Sequence, residues 1–185
     1  MRLFFGIELI PQVREVLQKA QAEIYEKIGE IIRLTPPENL HLTVKFLGEV
    51  PEIRTAEILS LLTAWPATEP AVTMMLRRTG CFPPAGPVRI VWAGLEIAGD
   101  SLTRAREAFE TACEMLGFPR EHSDYSPHIT LGRIKNGEIS PQERRSIGGI
   151  ELEGVSQEIR HLTLFQSRLE KSGARYEVIG RSSGI

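Results

Sequence analysis

Two short runs carry residue types suited to proton transfer: Asn39-Leu40-His41-Leu42-Thr43-Val44-Lys45-Phe46-Leu47 and Ser126-Pro127-His128-Ile129-Thr130-Leu131-Gly132-Arg133. Apolar and polar residues alternate in both, which is the period of a β-strand. Positions i and i+2 share a strand face. His41 and Thr43 therefore project side by side, as do His128 and Thr130, while Leu42, Val44 and Ile129 point into a core. An unperturbed imidazole titrates near ~6.5, so two such rings can stand at neutral pH as one acid and one base. That pairing suits a reaction in which one proton leaves a nucleophile and another reaches a leaving group. The opening of a cyclic phosphodiester, with water and the departing ribose oxygen roughly in line through phosphorus, is such a reaction. A threonine hydroxyl two residues along can hold a phosphate oxygen. General acid–base assistance contributes ~10²–10⁴-fold, so positioning and charge stabilisation must supply the rest. Neither a metal nor a cofactor is expected, since the sequence offers no carboxylate cluster and no close histidine pair.

The elements that must position these runs follow from periodicity and turn residues. Arg2 to Leu9 reads as a strand. Pro11 sits at a first helical position, and Val13, Val16, Leu17, Ala20, Ile24 and Ile28 then recur at helical spacing up to Gly29. Thr35-Pro36-Pro37 forces an extended turn into the His41 strand, which Gly48 closes. Pro51 opens a second helix carrying Ile53, Ala56, Leu59 and Leu62 and stopping before Pro66. Ala71 to Leu76 is read as a strand, followed by a loop from Gly80 to Pro87. Val88 to Leu95 is a strand, and Asp100 or Ser101 can cap a helix that ends at Gly117. Ser140-Pro141-Gln142-Glu143 is a capping box opening a short helix. Glu158 to Leu169 reads as one strand, and Lys171-Ser172-Gly173 turns it into a last strand, Ala174 to Ile179.

The order strand, helix, His-x-Thr strand, helix, strand occurs twice, with His128 following His41 by 87 residues. The same offset carries Phe5 onto Trp92 and the first long helix onto the second. The expected organisation is one two-lobed domain over 1–185, from repeat units of about 1–87 and 88–180 related by a pseudo-two-fold axis. A third match, His161-Leu162-Thr163, fails this arithmetic, because the offset carries it back to Met74 in a different strand. His161 is read as a bystander on the polar face of a strand, and His122 as a solvated loop histidine.

Bulk properties narrow the function classes. At 185 residues, with 42% hydrophobic and 25% charged residues, the chain can bury one sizeable core. A formal net charge of −2 excludes a protein that coats nucleic acid by charge alone and leaves room for a local basic cleft. Cys81 and Cys113 indicate neither a disulfide framework nor a zinc site. The opening Met1-Arg2-Leu3-Phe4-Phe5-Gly6 is too short an apolar run for a signal peptide, and no stretch approaches the ~20 residues that span a bilayer. A cytoplasmic monomer without membrane partners is expected.

At these residues the chain resembles the two-histidine phosphoesterases, and within them the RNA 2′,3′-cyclic phosphodiesterases historically called 2′-5′ RNA ligases. The resemblance rests on Arg2–Leu9, on Pro37-Glu38-Asn39 leading into the His41 run, and on Trp92-Ala93-Gly94. Pro127 to Arg133, Ser167 and Gly173-Ala174-Arg175-Tyr176 complete it. It implies a bilobal α+β fold with antiparallel sheets flanking a central cleft. It also implies opening of a terminal 2′,3′-cyclic phosphate to a 2′-phosphate, with His41 as proton donor, His128 as proton acceptor, and Thr43 and Thr130 on the non-bridging oxygens. Its partners would be RNA ends or small cyclic nucleotides, with 2′-5′ ligation as the reverse reaction.

Neighbouring residues have two readings each. Lys45 shares the face of His41 and could bring positive charge to the cleft mouth. Arg133, five residues past His128, faces away on an ideal strand, and a bulge at Gly132 would turn it back towards phosphate. Phe46 is read as core rather than as a base-stacking platform. Tyr125 either stacks on a nucleobase or packs its loop, and Arg77, Arg78 and Arg89 either follow an RNA backbone or are solvated. Two other functions compete: a binding module without turnover, and a phosphodiesterase for a small nucleotide such as an ADP-ribose cyclic phosphate.

Overall fold

The Phe-, Ile- and Leu-rich opening forms strand β1 (Arg2–Glu8) at the centre of one half of a nine-stranded antiparallel sheet. The computed structural model describes residues 1–65, 72–121, 125–170 and 173–183. After β1 come helix α1 (Pro11–Ile28), β2 (Ile32–Leu34), β3 (His41–Glu49), α2 (Thr55–Ser60), β4 (Val72–Phe82) and β5 (Ile90–Ile97). Helix α3 (Ser101–Met115), β6 (His128–Ile134), α4 (Pro141–Gly148), β7 (Ser156–Ile159), β8 (Thr163–Glu170) and β9 (Gly173–Arg181) complete the chain. The strand order is β7-β4-β5-β6-β3-β1-β8-β9, with β2 added beside β6. The two His-x-Thr strands are thus central neighbours, joined through the pair Leu42↔Ile129. Along that path four strands lie to each side of the seam, with β2 as the ninth strand off it, giving the α+β, two-lobed antiparallel arrangement expected.

Helices α1 and α3 bury the stripes that their spacing specifies: Val13, Val16, Leu17, Ala20, Ile24 and Ile28 in one, Leu102, Ala105, Phe109 and Cys113 in the other. The rings of Phe5 and Phe109 meet edge to face at 4.8 Å, tying α3 to β1 across the core. The capping box of α4 is present, Glu143 N–H donating to Ser140 Oγ at 3.2 Å and Ser140 N–H to Glu143 Oε2 at 2.7 Å. Gly117, with φ +81°, turns the chain after α3 as a stop glycine should. Among the described residues no helix is long and apolar enough to cross a membrane.

Several elements differ from the periodicity reading, each for a tertiary reason. The stretch Glu158 to Leu169 is two strands, because β7 pairs with β4 in one half of the sheet and β8 with β1 in the other. Arg160-His161-Leu162 is the crossing between them, so His161 is on a link and exposed. Strand β4 continues to Phe82, which places Gly80 opposite Trp92 inside a ladder rather than in a loop. The helix after Pro51 is only Thr55–Ser60, flanked by 3₁₀ turns at Glu52–Arg54 and Leu61–Ala64. Asp100 starts α3 without a side-chain capping bond. Pro66, Ala71, His122, Lys171 and Ser172 lie outside the described residues.

Candidate active site

The pair Leu42↔Ile129 sets the register of the site. On an antiparallel ladder through that pair, the next positions place His41 beside Thr130 and Thr43 beside His128. The two His-x-Thr pairs thus stand on neighbouring strands, on the face opposite buried Leu42 and Ile129, with Thr43 and His128 lining one cavity. His41 Nδ1 is 2.7 Å from the carbonyl oxygen of Asn39, and His128 Nδ1 is 2.8 Å from that of Ser126. In both strands the ring proton on Nδ1 is donated to the carbonyl two residues upstream, which leaves Nε2 for chemistry. In the neutral ring of His41, Nε2 accepts from Thr43 Oγ1 at 3.0 Å.

The surroundings of the rings are unlike. His41 is walled by Phe4, Phe165 and Tyr176, with ring centroids at 4.8, 5.7 and 5.2 Å. Among the described residues the one ring against His128 is Phe82, edge to face at 5.1 Å, and His128 borders a cavity of about 300 Å³ lined by Thr43, Phe46, Glu121, Tyr125 and Ser126 among others. Burial pushes the His41 imidazole down to about 4; the hydrogen bond to Asn39 opposes the shift, and the charges of His128 and Arg14 add to it. An unfolded His41 would bind its proton below 6.5, the folded one only below about 4. The unfolded chain therefore holds more protons between those values, and stability falls as pH falls through that window. We expect the His41 ring signal in NMR to titrate near 4 in the free protein and higher with inorganic phosphate bound. A His41 that titrates near 6.5 in the free protein would contradict the buried environment.

Space for the His41 ring comes from β1. Gly6 stands opposite Thr43, and a Cβ built on it would lie 2.8 Å from the Leu42 carbonyl oxygen and 3.2 Å from His41 Cδ2. The backbone oxygen cannot yield as a flexible side chain would. Gly6→Ala is expected to cost ~1–3 kcal/mol by overpacking and to move the imidazole, seen as a lower urea midpoint together with a lost Thr43 contact. An unchanged midpoint would show that the strand absorbs the methyl.

Both His-x-Thr strands contain a bulge just beyond the threonine. Against β1, Thr43 pairs with Gly6 and Lys45 with Phe5, so Val44 is the extra residue. Against β5, Thr130 pairs with Trp92 and Gly132 with Val91, so Leu131 is extra. A bulge shifts the face of every later residue by one. Lys45 consequently points into the core instead of sharing the cleft with His41: it is 1% exposed, and its Nζ donates to Glu110 Oε2 at 2.6 Å and to the Pro119 carbonyl at 2.9 Å. It is not a substrate contact. Phe46 takes the cleft face and is 58% exposed, contrary to its core reading. Arg133, at the matching place 87 residues later, is turned onto the cleft face by the second bulge.

The carbonyls of the bulge residues draw side-chain donors from the helices, that of Leu131 in addition to Thr35 N–H at 2.8 Å. Gln21 Nε2 of α1 donates to the Leu131 carbonyl at 2.8 Å and to that of Thr35 at 2.8 Å. Arg106 Nε of α3 lies 3.4 Å from the Val44 carbonyl. Asn39, buried at the start of β3, donates through Nδ2 to the Ala174 carbonyl at 2.6 Å and accepts from Tyr176 N–H at 3.3 Å. These three residues position the site and are not singled out by spacing; their signal is a polar residue within an otherwise apolar stripe or run.

A family model described as LigT-like phosphoesterase matches residues 7–92 and 95–176, a span that holds both His-x-Thr strands. The chain belongs to the LigT-like phosphoesterases. An RNA 2′,3′-cyclic phosphodiesterase of Methanocaldococcus jannaschii is 34% identical over 97% of this chain and 98% of its own length. One of Archaeoglobus fulgidus is 32% identical over 96% of this chain and 97% of its own. The crystal structure of a Thermus thermophilus protein is similar with a TM-score of 0.82 at 29% identity, covering 98% of this chain and 97% of that one. That of E. coli LigT complexed with 3′-AMP gives a TM-score of 0.75 at 27% identity over 97% and 95% of the two chains.

The remaining candidates of this LigT-like chain fall into place around the cleft. Tyr125 packs its loop: its hydroxyl donates to the Thr43 carbonyl at 3.0 Å and the Arg106 guanidinium lies 4.3 Å over its ring, while one side still borders the His128 cavity. Arg77 is ion-paired with Glu96, and Arg78 and Arg89 are exposed. His161 Nδ1 is 3.1 Å from the Ser182 carbonyl, away from the paired strands β3 and β6. Glu8, opposite His41 on β1, has its carboxylate held by Arg181 at 2.6 and 3.0 Å and by Thr163 at 3.0 Å. Those bonds hold it below the usual carboxylate range, Arg181 contributing most.

Proposed function

We propose that this phosphoesterase opens terminal 2′,3′-cyclic phosphates of RNA to 2′-phosphates, using two histidines and no metal. The observation that carries the reading is two imidazoles on neighbouring central strands joined through Leu42↔Ile129, each with Nδ1 on a backbone carbonyl and Nε2 left for chemistry. His128 Nε2 takes a proton from water as the oxygen attacks phosphorus. The P–O3′ bond breaks, and His41 Nε2–H delivers a proton to O3′, leaving a 2′-phosphomonoester. Thr43 and Thr130 hold the non-bridging oxygens between the rings. The depressed affinity of His41 for its proton suits an acid that is charged only when the phosphate anion is in place, and that then gives the proton up readily. Run in reverse, with a 5′-hydroxyl replacing water, the same constellation joins two ends through a 2′-5′ linkage; hydrolysis dominates because water is abundant.

Relatives named RNA 2′,3′-cyclic phosphodiesterase along nearly the whole chain support the substrate class. The test is ³¹P NMR of a cyclic-ended oligonucleotide incubated with the protein in EDTA. Conversion to a 2′-phosphate is expected. A 3′-phosphate product, or loss of turnover on chelation, would overturn the assignment of roles or the metal independence respectively.

A further inference from the structure

Next to His41, and adjoining the His128 cavity through Phe46, the sheet carries a second polar surface. Arg2, Ser167 and Tyr176 occupy one cross-strand row of β1, β8 and β9. The adjoining row holds Phe4, Phe165 and, across β3, Phe46. Arg133 reaches the same surface from β6. Together Arg2, Arg133, Ser167, Tyr176, Phe4 and Phe46 line most of a cavity of about 310 Å³. It continues past Arg133 and Tyr176 into another of about 300 Å³ that ends at Arg33 and Asn39. Both guanidiniums act on the Tyr176 phenol, drawing its pKa down against the burial that raises it. The edge of that same Tyr176 ring meets His41. In a chain of net charge −2, a hydroxyl, a phenol and two guanidiniums beside an exposed phenylalanine form a local anion site with a stacking platform.

We propose that this groove binds the RNA strand upstream of the cyclic end: Arg2, Arg133 and Tyr176 hold the next phosphodiester, and Phe46 stacks a base. This rests on the phosphodiesterase reading above. The direction of the strand follows from the chemistry. In an in-line displacement the leaving O3′ is on the acid's side of phosphorus, and O3′ belongs to the ribose. With His41 as acid, the terminal nucleoside and everything 5′ of it sit on the His41 side, where the groove begins. The cavity beside His128 is left for the incoming water or 5′-hydroxyl.

The groove makes length matter. A phosphate held by charged hydrogen bonds is worth roughly 10–100-fold in kcat/KM. Adenosine 2′,3′-cyclic phosphate lacks that phosphate, whereas a cyclic-ended trinucleotide has it. The wild-type protein is expected to prefer the trinucleotide by that factor, with the preference shrinking as salt rises. Arg2→Gln and Arg2→Gln/Arg133→Gln bring the trinucleotide-to-mononucleotide ratio towards one, and Phe46→Ala lowers it in part. Equal kcat/KM for the two substrates, a ratio unmoved by the arginine variants, or a stronger preference for an ADP-ribose cyclic phosphate would each overturn the proposal. If neither nucleotide is turned over, the phosphodiesterase reading fails on its own. Fluorescence anisotropy with a labelled 2′-phosphate-ended trinucleotide then decides the groove: binding lost in Arg2→Gln/Arg133→Gln supports it, and no binding by wild type refutes it.

Discussion

His41→Ala and His128→Ala each lower kcat on a cyclic-ended oligonucleotide by ~10²–10⁴-fold, the range that a positioned acid or base contributes. The two losses do not multiply. Donor and acceptor serve one displacement, so His41→Ala/His128→Ala costs little more than the worse single change, the residual rate coming from the threonines and from binding. His161→Ala, on the exposed link between β7 and β8, stays within about threefold of wild type, as expected for a surface change remote from the site. Quench-flow on the four variants, with circular dichroism to establish that each is folded, checks the set. A His41 or His128 variant retaining more than roughly a tenth of kcat would remove that residue from the acid–base role. Activity lost in folded His161→Ala would place the chemistry on another strand.

His161 shows what a sequence pattern can and cannot decide. As a tripeptide it equals the other two, and only its place in the repeat sets it apart. In the structure the difference is topological: β3 and β6 are neighbours at the centre of the sheet, while His161 lies where the chain leaves one half for the other. Alternation also located Thr43, Thr130, Leu42 and Ile129 on their faces, because those residues precede the bulges. Beyond Val44 and Leu131 it failed. One extra residue reverses every later side chain, so Lys45 went to the core and Phe46 to the cleft, and Arg133 came round to the cavity beside Tyr176. The 87-residue offset does carry Phe5 onto Trp92 as two strand residues, but in the ladders it is Gly6 that stands opposite Thr43 where Trp92 stands opposite Thr130. A bulge is invisible to a period-two count because its support is non-local. Gln21 reaches the Leu131 carbonyl from 110 residues away, and Arg106 the Val44 carbonyl from 62.

That support makes the Lys45–Glu110 pair the site of the largest expected stability change. Its Nζ, Glu110, Arg106 and Glu121 form a chain: Lys45 to Glu110 at 2.6 Å, Arg106 to Glu110 at 3.0 Å, and Arg106 to Glu121 at 3.2 Å. Lys45 is 1% and Glu110 2% exposed, so neither charge can turn to water when its partner goes. Removing one member of a buried pair typically costs ~3–5 kcal/mol, a large part of the ~5–15 kcal/mol that holds a domain folded. Glu110→Met is expected at the upper end, since it leaves two cations in the core with Glu121 alone, itself exposed. Lys45→Met falls nearer the lower end, because Arg106 remains on Glu110. Replacing both by methionine leaves no unmatched charge at that point and should cost less than the two single changes combined, a coupling that a double-mutant cycle of urea midpoints measures directly. Additive losses would mean that the ammonium and the carboxylate do not depend on one another. The same bonds anchor Pro119, ahead of Tyr125, and the Val44 bulge that turns Phe46 outward. The buried charges therefore act on function through the shape of the cleft, by holding β3 in the one register that separates His41 from Lys45 onto opposite faces.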